Sequence, residues 1–488
     1  MRKLGMVCAA MLALAGCDDG EDPMDAGPDA SAMVDAGGGT DAGPDPDAGP
    51  DPDAGPDPDA GSDGGPETTT FRVRIENTGT AYDFAGSGMF NTPEGASMPG
   101  PIGPGGAYEF SFPAAPGMKL SLATMFVPSN DLFFAPDGSG IDLFDEDGDP
   151  IATDTAVDVT DQIEVWDAGT EIDQPLGEGP DQVQRQGEGM TDVGAADPNT
   201  NVRLVTSTEV TNLPDVNAVI QLTLTSALAD GVHTFTARIE NVSTTSTLTT
   251  SGDSQMVPMS PGVWAVHTGD NPLFEVGMPD RGEGLEGIAE DGMAATLRDA
   301  LAPRTGATLV ASPGVWAVTD SGTDLFEVGM ADRGQGLEAI AEDGNPGPLA
   351  TAVGGSLPGA AVFNTPMGAS EPGPLPPGMA YEFDVTATPG QRLHIVSMFV
   401  PSNDWLFSFP AEGIALFDGT TGITGDQASE MNTYDLGTEV DQAVGFGVDQ
   451  VQNQSGPDTG AADADTNVRL VTGQPSVDEI LEVTVTPL

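Results

Sequence analysis

The stretch MFVPSND stands at 125–131 and again at 398–404, and each copy precedes an aromatic-Asp-x-Gly-Thr-Glu motif, WDAGTE at 166–171 and YDLGTE at 434–439. An internal duplication limits the possible folds more than composition does, because whatever forms must form twice from the same ordered segments. The order is shared widely. FRVRIEN at 71–77 matches FTARIEN at 235–241, and FNTPEGASMPGPIGPGGAYEF at 90–110 matches FNTPMGASEPGPLPPGMAYEF at 363–383. GAADPNTNVRLVT at 194–206 likewise matches GAADADTNVRLVT at 460–472.

These segments alternate or run apolar with β-branched residues, and Pro, Gly, Asn and Asp punctuate them, a pattern of short antiparallel strands in a sandwich. With 65 Gly and 42 Pro, long helices are not expected. The matched order predicts an all-β body of two antiparallel sandwich domains in tandem, at 68–230 and 231–488. Phe71 and Phe90 are 19 residues apart but Phe235 and Phe363 are 128 apart, so the second domain is expected to carry an insertion. Within it, at about 256–359, a unit with a period of 52 occurs twice: SPGVWAV at 260 and 312, then DRGEGLEGIAEDG at 280 and DRGQGLEAIAEDG at 332. Each unit reads as a strand, a loop and one short helix capped by Gly292 or Gly344.

The chain starts MRKLGMVCAAMLALAGC, a basic pair, an apolar run of signal length and small residues before Cys17. Residues 1–16 read as a secretory signal, and Leu14-Ala15-Gly16-Cys17 has the form of a bacterial lipobox with Cys17 as the acylated mature N-terminus. Residues 17–67 are almost entirely Asp, Ala, Gly and Pro, with DAGPDP in tandem from Asp41 to Pro58, and are expected to be a disordered tether. The expected location is the bacterial cell envelope, at a surface-exposed or periplasmic face, with membrane contact through the lipid alone. Only Cys8 precedes Cys17, so the exported body has no disulfide and no thiolate metal site. The 77 acidic residues against 14 basic ones give a net charge of −63, which argues against nucleic acid as a partner and suits divalent cations.

Acids kept in register are the candidate ligands: Asp131, Asp167 and Glu171 in one copy, Asp404, Asp435 and Glu439 in the other. An Asp at a strand end together with Asp-x-x-x-Glu in a Gly-containing loop can offer several of the six to eight oxygens that Ca²⁺ requires. A solvated acidic turn explains any single such loop; retention in both copies favours a ligand set. DEDGD at 145–149 lacks EF-hand spacing and reads as a solvated hairpin turn, and the Glu290-Asp291 and Glu342-Asp343 pairs read as solvated helix ends. Trp264 and Trp316 have strand periodicity and read as core, and Trp166 as packing beneath its loop.

The SND and W/Y-D-x-G-T-E pairing, with SPGVWAV and GLExIAEDG, resembles the spondin N-terminal domain of F-spondin and mindin, over nearly all of 71–488. That resemblance implies a C2-like β-sandwich that binds calcium through the six acids named above and serves extracellular adhesion, with a matrix, glycan or cell-surface protein ligand. Two departures stand out: animal members use disulfides and usually have Asp at the positions of Glu171 and Glu439. No enzyme is expected. His233, His267 and His394 are scattered without HExxH or Ser-His-Asp context, and only His394 lies in a repeated segment, set opposite Leu122. The alternatives are an envelope protein in which calcium only stabilises the sandwiches, and a calcium-dependent carbohydrate-acting enzyme.

Overall fold

A computed structural model describes residues 67–187, 189–206, 210–355 and 359–488. The expected signal, the Cys17 anchor and the acidic tether lie outside the described residues, apart from Glu67. Residues Thr68–Leu488 form one unit of antiparallel sheets, as the alternating segments imply.

In Thr69–Asn77 the residues Phe71, Val73, Ile75 and Asn77 point inward while Arg72, Arg74 and Glu76 point outward, the period of two that a half-buried strand requires. Val232–Asn241 repeats the arrangement with Phe235, Ala237, Ile239 and Asn241. Both strands end on a buried Asn that ties strand to loop. Asn77 Nδ2 donates to Leu309 O and Leu375 O at 2.9 and 2.8 Å, and Asn241 Nδ2 donates to Ile102 O and Val257 O at 3.1 and 2.8 Å.

The sheets overturn the expected boundary. Val232–Asn241 lies between Ala107–Ala114 and Ile220–Ala229, inside the first sandwich, while Thr69–Asn77 lies between Ala380–Ala387 and Leu481–Pro487, inside the second. A cut at 230/231 therefore falls in a hairpin turn. Asp230 and Gly231 there both have positive φ, 51° and 68°, the conformation that two-residue hairpin turns favour and that Asp-Gly supplies cheaply. The first sandwich is contiguous, running from about residue 80 to 306, and it interrupts the second between Thr69–Asn77 and Ala311–Asp320. Where the first has a hairpin, the second joins strands far apart in sequence: Leu488 N donates to Thr70 O at 2.9 Å.

The 52-residue units are likewise divided, one to each sandwich. Met259–His267 pairs with Gly86–Phe90 and Lys119–Phe126 in the first, and Ala311–Asp320 pairs with Ala360–Phe363 and Gln391–Phe399 in the second. A bulge at Ser-Pro-Gly breaks the register in each. Gly262 and Gly314 are required there, because a Cβ would lie 2.2 Å from Ala123 O or Val396 O.

Each sandwich has three layers. A four-stranded sheet covers one face of a seven-stranded sheet over a core that includes Tyr108, Phe112, Phe134, Leu222 and Phe235 in the first, and Phe71, Tyr381, Phe407 and Val483 in the second. Helices cover the other face. Leu285–Asp291 buries Leu285 and Ile288, and Leu337–Asp343 buries Leu337 and Ile340. Gly292 and Gly344 cap them at φ 68° and 62°, as expected. Each unit also has a second helix, Ala295–Leu301 or Gly347–Gly354, where one was expected. Trp264 and Trp316 stack on Phe110 and Phe383 with ring centroids 5.5 and 5.7 Å apart, half-buried against the core.

Candidate metal centre

The turn after Lys119–Phe126 positions the first carboxylate. Ser129 Oγ donates to Phe126 O at 2.6 Å and accepts from Leu132 N at 3.1 Å, which closes the Ser-Asn-Asp turn on itself. Asn130 then staples the later loop, donating to Ile172 O at 2.8 Å and accepting from Gln174 N at 3.1 Å. Asp131 Oδ2 accepts from Thr170 N and Glu171 N at 3.1 and 3.0 Å, and its side chain is wholly buried. The second sandwich repeats these contacts with Ser402, Asn403 and Asp404, whose Oδ2 accepts from Thr438 N and Glu439 N at 3.0 and 3.1 Å. Trp166 packs beneath the loop with its centroid 5.1 Å from that of Phe274.

The remaining oxygen of that carboxylate, Asp131 Oδ1 and equally Asp404 Oδ1, is buried without a hydrogen-bond partner. Burial, and then the neighbouring Asp167 charge, push the Asp131 carboxyl well above the usual range. Burial and the Asp441 charge bring Asp404 to about 6, and burial with the Asp404 charge brings Asp435 to about 7. Burial favours the neutral acid, and a neighbouring carboxylate charge favours it further.

Asp167 and Asp435 are already partly balanced. Asp167 Oδ1 accepts from Gly169 N at 2.6 Å and its Oδ2 pairs with Arg203, which also holds Asp197 at 2.7 Å. Arg469 does the same for Asp435 and Asp463, at 2.5 and 2.6 Å. Asp173 and Asp441 complete these groups, and one carboxylate oxygen from each of Asp404, Asp435 and Asp441 lies within 4.8 Å of the others.

The third expected carboxylate turns the other way. Glu171 Oε1 accepts from Gly194 N at 2.6 Å and Glu439 Oε1 accepts from Gly460 N at 2.8 Å, on the side of the loop that faces the helices. A Cβ at either glycine would come within 2.1 Å of the glutamate Cδ and push that side chain aside. There Glu171 meets Asp192 and Glu290. Asp131 and Asp167 thus gather on one side of each loop and Glu171 on the other, rather than all three on one point.

Glu290 and Glu342 depart from their reading as solvated helix ends. They are 4% and 3% exposed, and burial pushes both up to about 8. Sequence reasoning also passed over Arg203 and Arg469, read only as strand residues, and Asp173 and Asp441. All were visible as residues retained in both copies.

No family model matches the chain. No curated protein matches it either. The likeness to spondin domains therefore rests on the sequence motifs alone.

The donor set fits a hard cation. Asp131 Oδ1, Glu171 Oε2, Glu290 Oε1, Asp404 Oδ1 and Glu342 Oε1 are buried oxygens without a donor. Hard ions such as Ca²⁺ and Mg²⁺ take oxygen ligands of this kind. The DEDGD segment, in contrast, closes on itself, with Asp145 Oδ1 accepting from Asp147 N and Asp149 N at 3.0 Å each, as a hairpin turn would.

The histidines sit elsewhere. His267 Nε2 meets Ser121 Oγ at 2.9 Å and His394 Nε2 meets Thr319 Oγ1 at 2.9 Å, all four residues buried. Trp264 faces Leu122 and Trp316 faces Ile395, so the counterpart of His394 is Ser121 and the expected pairing with Leu122 is one residue out. The same His and hydroxyl pair is kept with its two positions exchanged.

Among the described residues no helix is long and apolar enough to cross a membrane.

Proposed function

We propose that each sandwich binds calcium at its Asp-x-Gly-Thr-Glu loop, and that the protein is a lipid-anchored, spondin-type binding or adhesion module of the cell envelope. The observation that carries the calcium reading is the orphaned Asp131 Oδ1, repeated at Asp404 Oδ1. A wholly buried carboxylate oxygen without a donor is costly. Duplication of that cost at the same place suggests a ligand rather than a defect.

In this reading Asp131 and Asp404 are the inner ligands, Asp167 and Asp435 stand beside them oriented by Arg203 and Arg469, and the backbone of the loop is held to the strand end by Oδ2 of the inner aspartate. Calcium supplies positive charge at the buried Oδ1 of the inner aspartate, which has no donor. Its loss would leave the loop held by hydrogen bonds to a carboxyl whose charge burial disfavours. Support for a binding role comes from the outer rim: Ile172 and Val440, directly after the two glutamates, are about half exposed, as are Leu204 and Leu470 after the two arginines. Exposed apolar side chains repeated beside a charged site suit contact with a partner.

A glycan array and a matrix-protein panel, each probed with calcium and with chelator, test the adhesion role. Calcium-dependent retention supports it. Calcium binding without any calcium-dependent retention would leave calcium as a stabiliser of the sandwiches only.

A further inference from the structure

The geometry points to a second divalent-cation site in each sandwich, on the helix side of the loop: Glu171, Asp192 and Glu290 in the first, Glu338, Glu342 and Asp458 in the second. This inference rests on the calcium reading of the loop and adds an ion to it. In each group one carboxylate oxygen of every member lies within 4.8 Å of the others. Oxygens on one calcium, at ~2.3–2.6 Å from it, can be no farther apart than about 5 Å, so the spacing is that of a shared ion.

A cluster of acids alone would not suffice, since exposed acids gather on any protein this acidic. Here the inner wall is buried. Glu290 is 4% exposed and Glu342 is 3% exposed, and Oε1 of each has no hydrogen-bond partner. In the first sandwich Glu171 Oε2 is a second buried oxygen without a partner.

The surrounding loop is fixed to the helix rather than loose. Gln186 Nε2 donates to Asp291 Oδ1 and Gln454 Nε2 to Asp343 Oδ1, both at 2.9 Å. Asp192 and Asp458 supply the exposed side of each group at φ 52° and 59°. Three carboxylates, from three chain segments in the first sandwich and from one helix and one loop in the second, with water completing the shell, make a site for calcium rather than magnesium, which demands a tighter octahedron and keeps its waters.

The test is the number of calcium ions held by the full folded chain, read by native mass spectrometry and by calorimetric titration with calcium alone. Four ions per chain are expected. Asp192→Asn with Asp458→Asn should lower that to two, because Asn keeps the shape and accepts positive φ, so the fold is spared. Glu290→Gln with Glu342→Gln should do the same from the buried side. A wild-type count of two, unchanged by these substitutions and abolished by Asp131→Asn with Asp404→Asn, would overturn the second site and leave the first standing. A count of four that survives Asp192→Asn with Asp458→Asn would also overturn it, and a count of zero would sink both.

Discussion

Separating the chain at Asp230–Gly231 should destroy the first sandwich, although the sequence duplication places a boundary there. Fragment 68–230 would retain Ala107–Ala114 and Ile220–Ala229 but lose the strand that joins them, along with Met259–His267 and both helices of its outer layer. Phe235, Ile239, Leu297 and Leu301 are each wholly buried. At ~1.5–3 kcal/mol for burial of each such side chain, these four alone are worth ~6–12 kcal/mol. That is as large as the ~5–15 kcal/mol net stability of an ordinary domain. Fragment 80–306 keeps all four, and its ends already meet: Asp83 N donates to Arg304 O at 3.1 Å and Gly306 N donates to Phe84 O at 3.0 Å. It should therefore unfold cooperatively in urea, followed by far- and near-ultraviolet circular dichroism, whereas 68–230 should show no cooperative transition. Cooperative unfolding of 68–230, or its absence in 80–306, would refute the nested connectivity.

Asn241→Ala should destabilise the first sandwich by ~1–3 kcal/mol in the same urea assay, because it strands Ser243 N and takes one of two donors from Ile102 O and from Val257 O, while a neutral result would mean water replaces the amide. Gly194→Ala should displace Glu171 and weaken calcium binding in the first sandwich alone, as titration against Gly460→Ala would show. Without metal, Glu290 and Glu342 bind protons more tightly folded than unfolded, so stability from these groups is present below the ordinary glutamate range and is lost as pH rises toward about 8. Melting of chelated protein should thus fall between pH 5 and pH 8, less so in Glu290→Gln with Glu342→Gln, and an equal fall in that variant would remove these two residues as the cause.

The strands and turn chemistry were legible because they are local. Phe71-Arg72-Val73-Arg74-Ile75 alternates as a sheet face demands, and Gly292 and Gly344 stop their helices where the left-handed conformation is required. Which sheet each strand joins is not local: the two copies of the Arg-Ile-Glu-Asn strand are nearly identical, so similarity could pair either with either sandwich. Asp230-Gly231 was the local clue, since a two-residue hairpin turn binds its flanking strands together. Asp131 and Asp167 were found together because one follows a strand end and the other begins the adjacent loop. Glu290 was missed for a physical reason. A glutamate in the last turn of a short helix is ordinarily solvated, and only the packing of that helix against the sheet buries it.

The calcium site is tested most directly by the melting temperature of metal-stripped protein with and without calcium, beside Asp131→Asn and Asp404→Asn. These positions are cleaner than Asp167, whose loss would also take one carboxylate partner from Arg203. Calcium at a hundred times its Kd should add about 2.7 kcal/mol of stability per site and raise the melting temperature, with magnesium a poor substitute. Each Asn variant should lose the part of the gain that its own inner site supplies and keep the rest. Equal melting temperatures with and without millimolar calcium, in the wild type and both variants alike, would contradict the assignment and leave these carboxylates as buried acids held neutral by protons.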